Sequence, residues 1–269
     1  MDSASTPSSH QAPDPSARTE LNSSSSPQGF FPRYWENSRN PLFNYVLALP
    51  LLLIYELLIY LTQPESGSAV RISADVWIKS LYVYLGYNTL SVTLLVVALF
   101  GIFLFINQRQ RGTRLNAQHL TLMLLEAGAW ALVLGWFIST LTGAIFDIQA
   151  TIADSTPQLS ALQQFALSLG AGIYEELFFR LILIWVGYKI FKRFFDLSWM
   201  AYLAAALISA FLFSTAHFTG VMGEGFTLVA FLYRFLFGLA LNALFITRGF
   251  AITAWAHTIY DLLVIFILQ

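Results

Sequence analysis

Residues 159–189, LSALQQFALSLGAGIYEELFFRLILIWVGYK, form an apolar stretch long enough to cross a bilayer, with Glu175, Glu176 and Arg180 inside it. A membrane span needs roughly 20 apolar residues, and ionisable groups within one are costly enough to mark a function. Glu176 and Arg180 are four residues apart and share a helix face, while Glu175 is turned from its neighbour by roughly 100°. One glutamate is placed to pair with the arginine, and the other is left free to react. Gly170-Ala171-Gly172 lies ahead of the pair and is read as a break or kink. It would make residues 159–169 a separate shallow or re-entrant helix.

The rest of the chain calls for the same solvent. Of 269 residues, 57% are hydrophobic and 11% charged, against roughly 25% charged in a soluble domain, so the chain is an integral membrane protein. Its formal charge of −1 carries no signal for nucleic acid, and the lack of cysteine removes disulfides, thiolate zinc ligands and a cysteine nucleophile. Residues 1–29, rich in Ser and Pro and including Ser23 to Ser26, read as a disordered tail. Residues 30–269 read as one membrane domain. The first long apolar run begins near Leu42, too late for a signal peptide core, and Phe30, Phe31, Tyr34 and Trp35 precede it as interfacial anchors.

The fold expected is all-α, a polytopic transmembrane bundle of seven membrane helices at about residues 42–61, 83–106, 119–141, 159–189, 199–217, 226–247 and 251–268. A break at Gly170 to Gly172 makes eight. With the amino terminus inside, inner segments carry ten Lys and Arg, among them Arg109, Arg111, Arg114, Lys192 and Arg248, while outer segments carry only Arg71 and Lys79. That bias sets a cytoplasmic amino terminus. A straight helix would put Glu175 about 24 Å deep, far from the end of the next helix; a break or strong tilt resolves the conflict.

Two histidines also lie in apolar spans: His217, four residues after Phe213, and His257, four before Asp261. A carboxylate can orient a water while an imidazole accepts its proton, and a second histidine can stabilise the oxyanion formed when a peptide carbonyl is attacked. Glu56, Glu126 and Arg234 are read as structural, with Glu126 paired to Arg234 between helices.

The order Glu-Glu-x3-Arg, Phe-x3-His, His-x3-Asn/Asp on three apolar helices resembles the CAAX-protease and bacteriocin-processing (CPBP/Abi) family of intramembrane proteases, related to the Ras-converting type of prenyl endopeptidase. The resemblance covers about residues 159–265. It implies Glu175 as the water-activating carboxylate, His217 as its partner, His257 with Asp261 on the oxyanion side, and Glu176 with Arg180 as a supporting ion pair. Prenyl endopeptidases have Asn where this chain has Asp261, and an ionised Asp accepts hydrogen bonds without donating them. Asp261 is therefore read as orienting His257 or as held protonated.

The resemblance implies an endopeptidase without cofactor, acting on a peptide or membrane-protein substrate, lipidated in eukaryotic relatives, within the bilayer of a bacterial cytoplasmic membrane. One alternative is a zinc enzyme with Glu175, His217 and His257 as ligands. Another is a non-proteolytic immunity or transport protein whose carboxylates and histidines relay protons.

Overall fold

The computed structural model describes residues 29–62, 71–146, 159–219, 223 and 225–266. The tail expected at 1–29 lies almost entirely outside them. Every regular element among the described residues is helical. In order these are α1 (Phe30–Ser38), α2 (Pro41–Leu61), α3 (Ser73–Tyr84), α4 (Thr89–Gln110), α5 (Ala117–Phe146), α6 (Ala161–Gly170), a π-helical segment (Ala171–Leu183), α7 (Ile184–Phe191), α8 (Ser198–Ala216), α9 (Leu228–Arg248) and α10 (Phe250–Phe266).

Five helices, α2, α4, α5, α8 and α9, are long and apolar enough to cross a membrane. On α4, Leu95, Leu99, Phe103 and Phe105 are all exposed, as expected of side chains that meet lipid rather than water. The other two expected spans differ from these. Residues 161–191 carry Glu175, Glu176, Arg180 and Lys189 and change helix type twice. Helix α10 has 17 residues, but from Ala251 to Thr258 only Trp255 escapes full burial, and the helix packs against α2, α5, α9 and the π segment. A helix apolar on all sides belongs in the middle of a bundle, and α10 is that central helix.

Two boundaries depart from the sequence reading. The span expected at 83–106 begins at Thr89, where Asn88 caps α4 by accepting from the Ser91 amide at 3.0 Å. The preceding residues form the separate short helix α3, which ends before Gly86 with φ 77°. The break expected at Gly170 to Gly172 is absent: Gly170 and Ala171 keep right-handed helical angles, and the chain instead changes to i→i+5 hydrogen bonding at Ala171. The glycines serve contact. A Cβ on Gly170 would run into the Tyr55 ring of α2, and one on Gly172 would strike Thr258 Oγ1 and lie 2.6 Å from the Ala254 carbonyl oxygen of α10. Small residues thus let the π segment and its neighbours approach backbone to backbone.

The structural charges also find partners other than those expected. Glu126 pairs not with Arg234 but with Arg248, which donates through Nε at 2.5 Å and Nη2 at 2.7 Å. Arg234 lies fourteen residues earlier on the same helix, about 21 Å along its axis, and its guanidinium stacks over Phe218 at 5.3 Å. The Tyr34 hydroxyl of α1 also donates to Glu126. Burial, with that carboxylate beside it, pushes the Tyr34 hydroxyl well above its usual pKa range, so it remains a donor. Glu56 accepts from Tyr174 at 2.5 Å and pairs with Lys79. Asp75 takes Arg71 at 2.8 Å, Lys79 at 2.8 Å and Tyr55 at 2.8 Å. Arg71 and Lys79, counted in the sequence as outer charges, are therefore members of an ion cluster that fastens α3 to α2 and to the π segment.

Candidate active site

The π segment buries its two glutamates and its arginine together: Glu176 is 0% exposed, Arg180 1% and Glu175 8%. Wide i→i+5 turns of this kind occur disproportionately at functional sites. Glu176 Oε1 receives Arg180 Nη1 at 2.8 Å and His257 Nδ1 at 2.7 Å. One carboxylate oxygen thus joins the π segment to the central helix. Arg180 also donates through Nε to Asn242 Oδ1 at 3.2 Å, and its guanidinium lies 4.3 Å from the centre of the Phe213 ring. Asn242 is fixed in turn by donating to the Ala206 carbonyl at 2.9 Å.

His257 faces carboxylates from both ring nitrogens. Nδ1 is held by Glu176, while Nε2 lies 3.6 Å from Asp261 Oδ2, beyond hydrogen-bond reach. The residue that fixes the His257 ring is therefore Glu176, where the sequence reading had considered Asp261. Asp261 stands at the open edge, with its side chain 25% exposed.

His217 follows the last residue of α8, and its Nδ1 lies 2.9 Å from the Phe213 carbonyl oxygen. A carbonyl only accepts, so the proton sits on Nδ1 and the Nε2 lone pair is left as a base. The Phe213 ring stands between the histidines, its centre 4.9 Å from the His217 ring and 5.8 Å from that of His257. No hydrogen bond or ion pair among the described residues joins His217 to Glu175.

Among the described residues, seven buried side-chain polar atoms lack a hydrogen-bond partner, and five of them belong to this site: Glu175 Oε2, Glu176 Oε2, Thr258 Oγ1, Arg180 Nη2, and Arg180 Nη1, which has only its ion pair with Glu176. Buried polar groups are normally satisfied, so their concentration in one place marks a region built to receive something polar. Among the described residues no group of three His, Asp or Glu side chains is gathered as a metal ion would need. The sequence reading missed Asn242 and Thr258. A lone polar residue inside an apolar helix was the available signal for each.

Residues 157–263 match the family model described as type II CAAX prenyl endopeptidase Rce1-like. The matched stretch includes the π segment, both histidines and Asp261, and the long apolar helices fit an integral membrane protein. No curated protein and no solved structure matches the chain.

Proposed function

We propose that the protein is an intramembrane endopeptidase that hydrolyses a peptide bond with a water activated by Glu175 and His217. The observation that carries this reading is the contrast between the two glutamates: Glu176 is engaged through Oε1 by Arg180 and His257, whereas Glu175, also buried, has no hydrogen bond or ion pair to another described residue, and its Oε2 is unpartnered. A buried carboxylate with a free acceptor beside a fixed histidine is what water activation requires.

In the proposed step, Glu175 takes a proton from water while the oxygen attacks the peptide carbonyl carbon. The resulting oxyanion is met by the Nε2–H of His257. Its Nδ1 is held by Glu176, and the 3.6 Å gap to Asp261 leaves Nε2 free to donate when the ring is protonated on both nitrogens. Collapse of the tetrahedral intermediate breaks the C–N bond, and the proton held by Glu175 passes to the departing amine. His217, with its basic Nε2, accepts or returns a proton through a bridging water. Asp261 orients the approach from the open edge. Glu176 and Arg180 hold His257 without touching substrate.

The match to a type II CAAX prenyl endopeptidase model makes a peptide prenylated at a carboxy-terminal CAAX sequence the first substrate class. The same reading keeps the amino-terminal side cytoplasmic. It is supported by Arg71 and Lys79, the two cations expected outside, being spent on Asp75 and Glu56. The test is purified protein in liposomes, given a farnesylated CAAX peptide and the same peptide unmodified, with products read by mass spectrometry. Cleavage by the wild type and its loss in a folded Glu175→Ala variant are expected. Undiminished cleavage by Glu175→Ala overturns the proposal.

A further inference from the structure

A cavity of about 440 Å³ opens at the turn between α4 and α5, lined by Leu42, Phe105, Arg109, Gly112, Thr113 and Arg114. Arg109 ends a membrane span, and Phe105 lies four residues earlier on the same helix face, about 6 Å deeper along the axis. Charge at the mouth and apolar surface beneath it follow the two halves of an amphiphile. Among the described residues, neither Arg109 nor Arg114 has an acidic partner.

The wall of the cavity is built in advance. Gln108, which is buried, accepts from Asn40 Nδ2 at 3.0 Å and from Thr113 Oγ1 at 3.0 Å, and its carbonyl takes the Thr113 amide at 3.0 Å. Gly112 turns the chain with φ 74°, a conformation other residues rarely adopt. Asn40 also caps α2 by accepting from the Leu42 amide at 2.8 Å. The loop that carries the arginines is thus tied to the first turn of α2. Arginines that serve only to orient a protein in the bilayer need no such frame.

We propose that this cavity binds the phosphate headgroup of an anionic glycerophospholipid, with Arg109 and Arg114 on the phosphate and Phe105 and Leu42 against the start of the acyl chains. Guanidinium groups suit phosphate through paired N–H donors, and basic pockets between membrane helices take such headgroups.

The full-length protein in neutral detergent is offered palmitoyl-oleoyl phosphatidylglycerol, or phosphatidylcholine with the same chains, and retained lipid is counted by native mass spectrometry. Saturable retention of phosphatidylglycerol over phosphatidylcholine is expected. Arg109→Gln with Arg114→Gln should weaken it about thirtyfold. Lys192→Gln with Arg193→Gln, an equal change of charge on another loop, should leave it intact, and so should excess inorganic phosphate. Equal retention of the two lipids, or equal loss in the two double variants, overturns the proposal. Displacement by inorganic phosphate assigns the cavity to the free ion and overturns the lipid assignment. Unchanged helix content by circular dichroism confirms that these exposed substitutions leave the fold alone.

Discussion

Glu175→Gln and Glu176→Gln differ by one position in sequence and should differ sharply in stability. Glu176 is fully buried and holds Arg180 at 2.8 Å and His257 at 2.7 Å through one oxygen. Removing one member of a buried ion pair costs about 3–5 kcal/mol, because its partner stays buried and charged. Arg180 keeps Asn242 and the Phe213 ring in wild type and variant alike, so those contacts cancel. The glutamine oxygen can still accept one hydrogen bond, which puts the expected loss near the lower end, about 3 kcal/mol. Glu175 Oε2 has no hydrogen bond to lose, so Glu175→Gln should remain within about 1 kcal/mol of wild type. The gap of about 2 kcal/mol is roughly a thirtyfold difference in folding equilibrium. Equilibrium unfolding in mixed micelles of mild detergent and dodecyl sulfate, followed by circular dichroism, measures it. Peptide cleavage by the same samples should be lost in Glu175→Gln although its stability is kept. Equal stability loss in both variants, or greater loss for Glu175→Gln, would refute the division of labour between the two carboxylates.

Gly172→Ala should separate the π segment from α10, since the new Cβ meets Thr258 and the Ala254 carbonyl. A loss of about 1–3 kcal/mol and reduced cleavage are expected in the unfolding and peptide assays, with Gly128→Ala, which has open space around it, as the unaffected control. Asp261→Asn should retain cleavage at neutral pH, because Glu176 and not Asp261 holds the His257 ring; a loss at neutral pH with the fold intact would assign the orienting role to Asp261. Arg248→Gln should cost about 2 kcal/mol, because Glu126 loses its bidentate partner but is partly exposed and keeps Tyr34 and Trp130 as donors. Cleavage should persist after exhaustive chelation, and activity lost to a chelator and restored by stoichiometric zinc alone would bring the Glu175, His217 and His257 metal reading back.

The Glu176–Arg180 pair was legible in the sequence because helix geometry alone puts residues four apart on one face. The bond from Glu176 to His257 was not, because the two are 81 residues apart and only the packing of α10 against the π segment joins them. The glycines before the glutamates were misread for a related reason. Local propensity makes Gly-Ala-Gly a weak point in a helix, while the bundle uses the same glycines for close approach to Tyr55 and Thr258. Arg248 and Lys79 were counted as loop charges and prove to be 3% and 4% exposed, each with its own carboxylate.

These departures share one cause. Inside a bilayer little water competes for a charge, so an ionised side chain is costly unless it is paired or serves a site. Sequence composition therefore reveals that Glu56, Glu126 and Glu176 each have to be paired. It cannot identify the partner, because rotation about a helix axis by one residue, roughly 100°, is enough to exchange one candidate for another. The helix types carry the same lesson: a shift to i→i+5 bonding over Ala171–Leu183 changes which residues share a face, and no single-residue propensity announces it. What fixes the rotation here is the set of paired groups itself. Tyr174 on Glu56, Glu176 on His257 and Arg180 on Asn242 hold the π segment from three sides, and with its neighbours held, Glu175 is left with an oxygen free for a ligand.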